Sequence, residues 1–379
     1  MNITREVAMF LGAGASKPFG ALLTNQILPE IMKKLKDGTL FTSKNDRDTL
    51  KNFLVQLMPG IENIKNPSHV LITEVLSLID YMLLSDFVPA PTAKAEELKS
   101  CRMLLERAML NVIPGRHNRP GEDNTQTELK RLGEWMYETG NKSGLSLIST
   151  NYDEIVECEL YKPFMGGGDR PFDAVNKGIN FGLSWRDGER DVVFHPPADS
   201  HHSVLKLHGS IDWMKCDLCG WIVCNDNYTL DKGHLAGVGV EEKNPNNTCN
   251  CGHWPLRPVV IAPSLVRDIR DINILNVWKN ACEELRTASY WYIIGYSLPI
   301  DDYAIRAMLI RALKSRKTPP KIHVYQWGDQ PEMQDRYGAF LGECDFQPTG
   351  MEGFIKDVVN KGLHITAPRA QVEKLSVSA

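Results

Sequence analysis

The sequence has no uninterrupted apolar run of the roughly 18 residues that a helix needs to cross a bilayer. Its best stretch, residues 69–84, is broken by Glu74 and Asp80. It also lacks a dominant charge. Lys and Arg number 43 against 47 Asp and Glu, a formal net charge of −4, and no Lys/Arg run is clustered. That balance gives no pull toward nucleic acid or anionic lipid, so neither nucleic acid nor a membrane is expected as a direct partner. No internal repeat and no long low-complexity tract is present. With 42% hydrophobic and 24% charged residues in 379, wholesale disorder is excluded, and the length suffices for one large domain or two ordinary ones.

The cysteines are not spread as in a secreted disulfide scaffold. There are nine, and four of them, Cys216, Cys219, Cys249 and Cys251, fall in one short region with Cys224 between the pairs. An odd, clustered set points to a reducing compartment and a metal site. Residues 7–15 are apolar and end in small side chains, as in a signal peptide, but the preceding basic region is only Arg5 beside Glu6. The segment reads as a buried first strand entering a glycine loop, and the protein as cytoplasmic.

Residues 1–11 read as that strand, residues 12–16 as a tight turn, and residues 21–36 as the start of a helical pattern. Apolar residues then recur at spacings of three and four, as in Val70, Leu71, Val75, Leu76, Ile79 and Leu83. Residues 21–140 are therefore expected to be helical. Short apolar strands follow at 145–149, 204–207, 259–262, 290–295 and 322–326, with helical patterns at 274–286 and 303–314. Strands alternating with helices predict an α/β fold, a Rossmann-like parallel sheet with helices on both faces. On this reading residues 1–379 form a single domain, with 21–140 as a helical insertion and 214–255 as a small inserted module. One more helical pattern covers 354–363, and a polar tail begins at Ala367.

Five motifs could carry chemistry. Gly12-Ala13-Gly14-Ala15-Ser16 stands between a strand and a helix, where backbone N–H groups can meet a pyrophosphate. Lys17 occupies the third glycine position of a dinucleotide fingerprint, and no Gly-Lys-Ser/Thr follows, so a plain strand-to-helix turn is the alternative. Ser149-Thr150-Asn151-Tyr152-Asp153 follows a strand, at the end where ligands of parallel sheets bind. Asn151 could orient a water or an amide, and Asp153 could accept from a sugar hydroxyl; the alternative is a helix N-cap by Thr150 or Asn151. Lys206-Leu207-His208-Gly209-Ser210 puts an imidazole at another strand end, suited to take a proton near neutral pH, or else structural. In Gly295-Tyr296-Ser297, the serine could bond a phosphate or ribose oxygen, while Asp301 and Asp302 cap the next helix. Cys216-x-x-Cys219 and Cys249-x-Cys251 suit a closed, tetrahedral structural zinc, with Cys224 and His253 as substitute ligands.

The order of these motifs resembles the Sir2 family of NAD-consuming enzymes, from about Phe10 to Gln326. The resemblance is to the bacterial Sir2-like branch, carried by Thr150-Asn151-Tyr152-Asp153, by residues 206–213 and by Gly295-Tyr296-Ser297. Members of that branch are NAD hydrolases in anti-phage defence, often beside a HerA-type ATPase or an Argonaute. The resemblance implies that Gly12, Ala13, Gly14 and Ser16 cradle the pyrophosphate of NAD, the substrate. Asn151 would hold the attacking water and the nicotinamide ribose, with Thr150 and Asp153 anchoring the same region. His208 would draw a proton from a ribose hydroxyl, and Gly295 and Ser297 would bind the adenosine side.

The chain departs from protein-deacylating sirtuins. Lys17-Pro18-Phe19-Gly20 stands where those carry Gly-Ile-Pro and then Phe-Arg, and Ile261-Ala262-Pro263-Ser264 stands where they carry an apolar-Phe-Gly-Glu strand end. The resemblance therefore extends to the NAD pocket and not to the acyl-lysine groove. It implies an NAD hydrolase first. An NAD-dependent protein deacylase, or a non-catalytic subunit holding NAD or ADP-ribose, are the alternatives. About fifty residues follow Gln326, which is too few for a sensor domain. The expected control is a homo-oligomer built through the helical segment and switched on by a separate subunit, a HerA-type ATPase first.

Overall fold

Val7–Leu11 forms β1, and every residue in it is buried. A strand that reads as an unbroken apolar run rather than an alternating one belongs to the middle of a sheet covered on both faces. The computed structural model describes residues 5–63, 69–85, 95–113, 123–165, 178–187, 193–197, 199–224, 248–254, 256–265, 271–300, 302–328 and 330–362.

From β1 the chain makes one helical turn, α1 (Ala13–Ser16), then α2 (Thr24–Lys36), α3 (Lys44–Leu57), α4 (Ile72–Leu84), α5 (Ala95–Val112) and α6 (Asp123–Ser143). It re-enters the sheet at β2 (Leu145–Ser149). Then come α7 (Glu157–Met165), β3 (Ile179–Asn180), β4 (Trp185–Asp187), β5 (Val193–Phe194), β6 (His202–Lys206), β7 (Gly209–Lys215), β8 (Ile222–Cys224) and β9 (Arg257–Val260). The last part alternates: α8 (Ile272–Thr287), β10 (Tyr290–Ile294), α9 (Tyr303–Lys314), β11 (Lys321–Tyr325), α10 (Pro331–Leu341), β12 (Asp345–Gln347) and α11 (Gly350–Phe354).

The main sheet has seven strands in the order β12-β11-β10-β1-β2-β6-β3, and all its pairings are parallel. Helices cover both faces. Neighbouring strand residues point to opposite sides of a sheet. On one side, Tyr292 meets Trp135 of α6 edge-on at 6.4 Å. On the other, the Trp291 indole donates to the Leu285 carbonyl of α8 at 3.0 Å. The expected parallel α/β sheet is thus present.

Register matters more for function than strand count. Leu11 pairs with both Ser149 and Ile294, Ser149 with Lys206, and Ile294 with Tyr325. Five strands therefore end level with one another, and the loops after them open side by side. From β1 the chain steps to β2 and β6 on one flank, and β10 returns on the other. That reversal makes β1 the switch point, where a parallel sheet leaves a crevice.

Three expectations need correction. The apolar segment 259–262 does not join the parallel sheet. Its strand is β9, two residues earlier, and it pairs antiparallel with β7 in a second sheet ordered β5-β4-β8-β7-β9. A parallel pairing needs a long crossover, and among the described residues no helix lies between β7 and β9. The strand expected at 204–207 begins at His202. Its polar start is hidden from an apolar search, yet it is buried and satisfied: Ser203 bonds Ser146 on β2, and His202 Nε2 donates to the Tyr137 carbonyl at 3.0 Å. The helix expected at 354–363 begins at Gly350 and continues as a π-turn over Ile355–Val359. Residue 363, the tail from Ala367, and residues 225–247 of the inserted module lie outside the described residues.

The helical segment has its own core. Leu28 and Ile31 of α2, Leu50 and Leu54 of α3, Leu76 of α4 and Leu105 of α5 pack together, and Tyr152, Ile211 and Ala262 join them to the main body. By contrast α6 packs into the sheet's core through Leu129, Leu132, Trp135 and Met136. No helix among the described residues is long and apolar enough to cross a membrane.

Candidate functional site

At the switch point two stretches of backbone touch. Gly12 N–H donates to the Ile294 carbonyl at 3.0 Å, and Gly14 N–H to the Gly295 carbonyl at 2.9 Å. A Cβ on Gly12 would stand 2.5 Å from Tyr296 Cα, and one on Gly295, where φ is +63°, would stand 2.0 Å from the Ala15 nitrogen. The glycines are needed because the loops after β1 and β10 lie directly on each other. A helix does not follow at once: α1 is a single turn, and α2 starts only at Thr24.

The loop after β2 lies on this contact. Thr150 and Asn151 cap no helix, because α7 begins only at Glu157. Instead, Asn151 Nδ2 donates to the Gly12 carbonyl at 3.0 Å and to Ser16 Oγ at 3.1 Å. Ser16 Oγ donates in turn to Asp153 Oδ1 at 3.0 Å, which also accepts the Ile155 N–H at 3.1 Å. Both amide hydrogens of Asn151 are thereby used. Its remaining polar atom, Oδ1, can only accept, which fits a water or a sugar hydroxyl.

His208 is held from the next strand. Its Nδ1 lies 3.0 Å from the Thr150 carbonyl. A carbonyl only accepts, so Nδ1 carries the proton and Nε2 is the basic nitrogen of the neutral ring. Tyr152 and Trp278 flank the imidazole, with ring centroids at 5.9 and 6.5 Å. The residue after it must be glycine: at Gly209 φ is +76°, and a Cβ would come within 1.9 Å of the Val259 carbonyl oxygen.

The electrostatics behind the loop are unusual. Asp153, Glu154 and Glu157 are all buried, and the ammonium of Lys206, itself buried, lies among them. Burial, then the Glu157 charge, pushes the Asp153 carboxyl up to about 6 from 3.8, against the pull of Lys206 and the bonds from Ile155 and Ser16. The sign for stability follows by linkage. A carboxyl whose folded pKa is raised holds its proton more tightly in the folded chain. Its contribution is complete below the unfolded value and is lost as pH rises through the folded one. The wild-type melting temperature, measured relative to that of Asp153→Asn, should therefore fall between pH 3.8 and about 6. A difference that stays flat over that interval would refute the assignment.

These groups border one cleft of about 500 Å3. Of the residues singled out from sequence, Ala13, Gly14, Thr150, Asn151, Asp153 and His208 line it, as do Gly295 and Ser297. Gly12 and Ser16 do not line it and act through Asn151. Asp302 caps α9, accepting the Ile305 N–H, and receives the Tyr296 hydroxyl at 2.7 Å; Asp301 lies outside the described residues.

Sequence reasoning missed several lining residues. Gln326 and Trp327 follow β11 as Gly295 follows β10, so the strand-end rule could have found them. Leu71 and Ile113 enter from the helical segment, and nothing local in the sequence marks them.

The four cysteines meet away from the cleft, beyond the end of β7. Cys216 Sγ lies 3.6 Å from Cys251 Sγ, and Cys219 Sγ lies 3.6 Å from Cys249 Sγ. All four sulfurs fall within 4.8 Å of one another. Zinc–thiolate bonds of about 2.3 Å in a tetrahedron put sulfurs about 3.8 Å apart, so the set fits a closed zinc site. Each pair sits on a turn finished by a left-handed glycine, Gly220 (φ +75°) and Gly252 (φ +86°). His253 is not in the cluster; its carbonyl accepts the Cys249 N–H at 2.9 Å. The Cys224 side chain lies outside the described residues.

No protein-family model matches the sequence, and no curated protein matches it. Among the solved structures that match are Sir2 and sirtuin proteins. One is a Sir2 in complex with an inhibitor, 2'-O-acetyl-ADP-ribose and a deacetylated peptide, at 11% identity and a TM-score of 0.40, over 95% of this chain and 94% of that one. A second was solved to explain sirtuin substrate affinity, at 14% identity and a TM-score of 0.40, over 95% of each chain. A third is a mutant Sir2 homologue in complex with ADP-ribose, at 11% identity and a TM-score of 0.41, over 94% of this chain and 90% of that one.

Proposed function

We propose that this protein is an NAD hydrolase that cleaves the nicotinamide–ribose bond, releases nicotinamide and ADP-ribose, and acts in anti-phage defence by depleting NAD. One observation carries the reading. Asn151 and His208 come from the ends of adjacent strands, and the loop that carries Asn151 also holds His208 through the Thr150 carbonyl, at the edge of a cleft lined by Ala13, Gly14 and Gly295. The pyrophosphate lies on that lining, the nicotinamide ribose faces Asn151 and His208, and the adenosine lies toward Ser297.

The glycosidic bond breaks to a cation-like ribose, and the bonding electrons leave with a neutral nicotinamide. Water then adds to the anomeric carbon and releases one proton. His208 Nε2 draws a proton from a ribose hydroxyl, which feeds electron density to that carbon, and Asn151 Oδ1 accepts from the incoming water; once water has added, His208 returns its proton to the ribose oxygen, so the water's proton is the one released. Holding both groups in a buried site makes the polar interactions stronger than in water and fixes the line of attack. Four thiolates, from Cys216, Cys219, Cys249 and Cys251, hold a structural zinc that supplies folding energy and takes no part at the reacting carbon.

The control of such an activity lies in assembly. The chain forms a homo-oligomer through the helical segment, residues 21–140, within a single domain that also carries the module at 214–255. A separate HerA-type ATPase switches it on, in the cytoplasm, where NAD and reduced thiols are found. The surface that supports this is on α4, where Leu78, Tyr81 and Leu84 are exposed at three-residue spacing and so lie along one side.

The experiment is product analysis. Purified chain, alone and with the ATPase, is incubated with NAD, with and without an acetylated peptide. Nicotinamide and ADP-ribose should form whether or not peptide is present. An acetylated ADP-ribose that appears only with peptide would make the protein a deacylase, and tight binding of NAD with neither product would make it an assembly subunit. Light scattering at micromolar concentration tests the oligomer, and a strict monomer defeats it.

A further inference from the structure

Lys206 ends β6 with 1% of its surface exposed, a rare place for a lysine. It does not line the cleft, and no step above uses it. Its ammonium donates to the backbone carbonyl of Asp153 and, at 3.0 Å, to Glu157 Oε1. The first of these bonds reaches from the end of β6 across to the loop after β2. That loop carries Asn151, and its Thr150 carbonyl receives His208. The second ties the same ammonium to the first residue of α7. Glu154 also acts on it, and together the three carboxylates outweigh burial and keep its pKa raised.

We propose that Lys206 is a positioning residue for the reaction: by clamping the Asp153 carbonyl it sets the 150–153 loop so that Asn151 and His208 address the same ribose. The inference rests on the NAD-hydrolase reading. The clamp reaches the two reacting side chains by separate routes. One runs through the Asp153 carboxylate and Ser16 to the Asn151 amide. The other runs along the loop backbone to the Thr150 carbonyl and the His208 ring. A compact charge with three donors suits a backbone carbonyl and a carboxylate at once, where a planar guanidinium would not.

A merely structural lysine would balance the buried carboxylates around it, Glu157 first, and nothing more, and the two roles separate by experiment. Lys206→Met alone leaves Glu157 a buried carboxylate without its cation and is expected to fold poorly. Lys206→Met with Glu157→Gln removes the ammonium together with the carboxylate it bonds, which should recover much of the lost stability but not the clamp. The double variant should melt well above the single one and keep the wild-type KM for NAD. Its kcat should fall on the order of 100-fold, the size of loss that a misplacement of about 1 Å produces. A folded double variant with wild-type kcat, or with its loss confined to KM, overturns the inference while the hydrolase reading stands. A wild-type protein that yields no nicotinamide, with or without the ATPase, overturns both.

Discussion

Replacing His208 with alanine should lower nicotinamide release from NAD at least about 100-fold, the scale expected when a general base is removed, in a chain that remains folded. The variant tests the ring itself because the strand end that carries it is held by backbone bonds that alanine also makes. The strand around it is held by backbone: Leu207 N–H donates to the Ser149 carbonyl and Ile261 N–H to the His208 carbonyl, each at 2.9 Å. Alanine keeps both backbone bonds. Asn151→Ala should cost as much activity but also some stability, because its amide satisfies the buried Gly12 carbonyl and Ser16 hydroxyl. The Gly12 carbonyl keeps the Ala15 N–H and the Ser16 hydroxyl keeps Asp153, so the loss is of two hydrogen bonds at about 0.5–1.5 kcal/mol each, and the melting temperature must be read beside the rate. Wild-type turnover in His208→Ala would remove that residue from the mechanism.

The second large effect is expected in the cysteine module. Elemental analysis of protein purified without chelator should give about one zinc per chain, and serine at Cys216, Cys219, Cys249 or Cys251 should lower the melting temperature. Among the described residues the module has little packing to hold it together. The described part of its core is Met214, Cys216, Val223, Cys249 and Leu256. A structural zinc contributes about 10 kcal/mol or more to such a unit, as much as the whole stability of many domains. Serine at the buried Cys216 or Cys249 should be worse than at the exposed Cys219 or Cys251, since it also leaves a hydroxyl in that small core. The damage should reach His208, because β7 and β9 run from the module to the residues beside it, with Gly209 paired to Val260. Protein free of zinc, or melting unchanged in all four variants, would contradict the assignment. Metal lost in Cys224→Ser and kept in Cys251→Ser would redraw the ligand set.

Elements whose pattern is written in neighbouring residues are legible in the sequence by itself. The strand 145–149 and the helix 303–314 lie where apolar runs and helical spacing put them. The four cysteines converge as their pair spacing implies, and the level strand ends bring Asn151, His208 and Gly295 to one crevice. These follow from local periodicity and from the rule that parallel strands deliver their following loops to one edge. Tertiary structure decided what no local pattern holds. It put β9 in a second sheet, because strand partnership depends on the path between strands and not on their composition. It brought Leu71 and Ile113 to the cleft, because a helical segment with its own core docks as a unit. It also gave Lys206 its part: a lysine in sequence reads as surface, and only the register of β6 against β2 puts its ammonium under the Asp153 carbonyl. Hydrogen bonds between residues over a hundred positions apart, such as Asn151 to Gly12, exist only once that register is set.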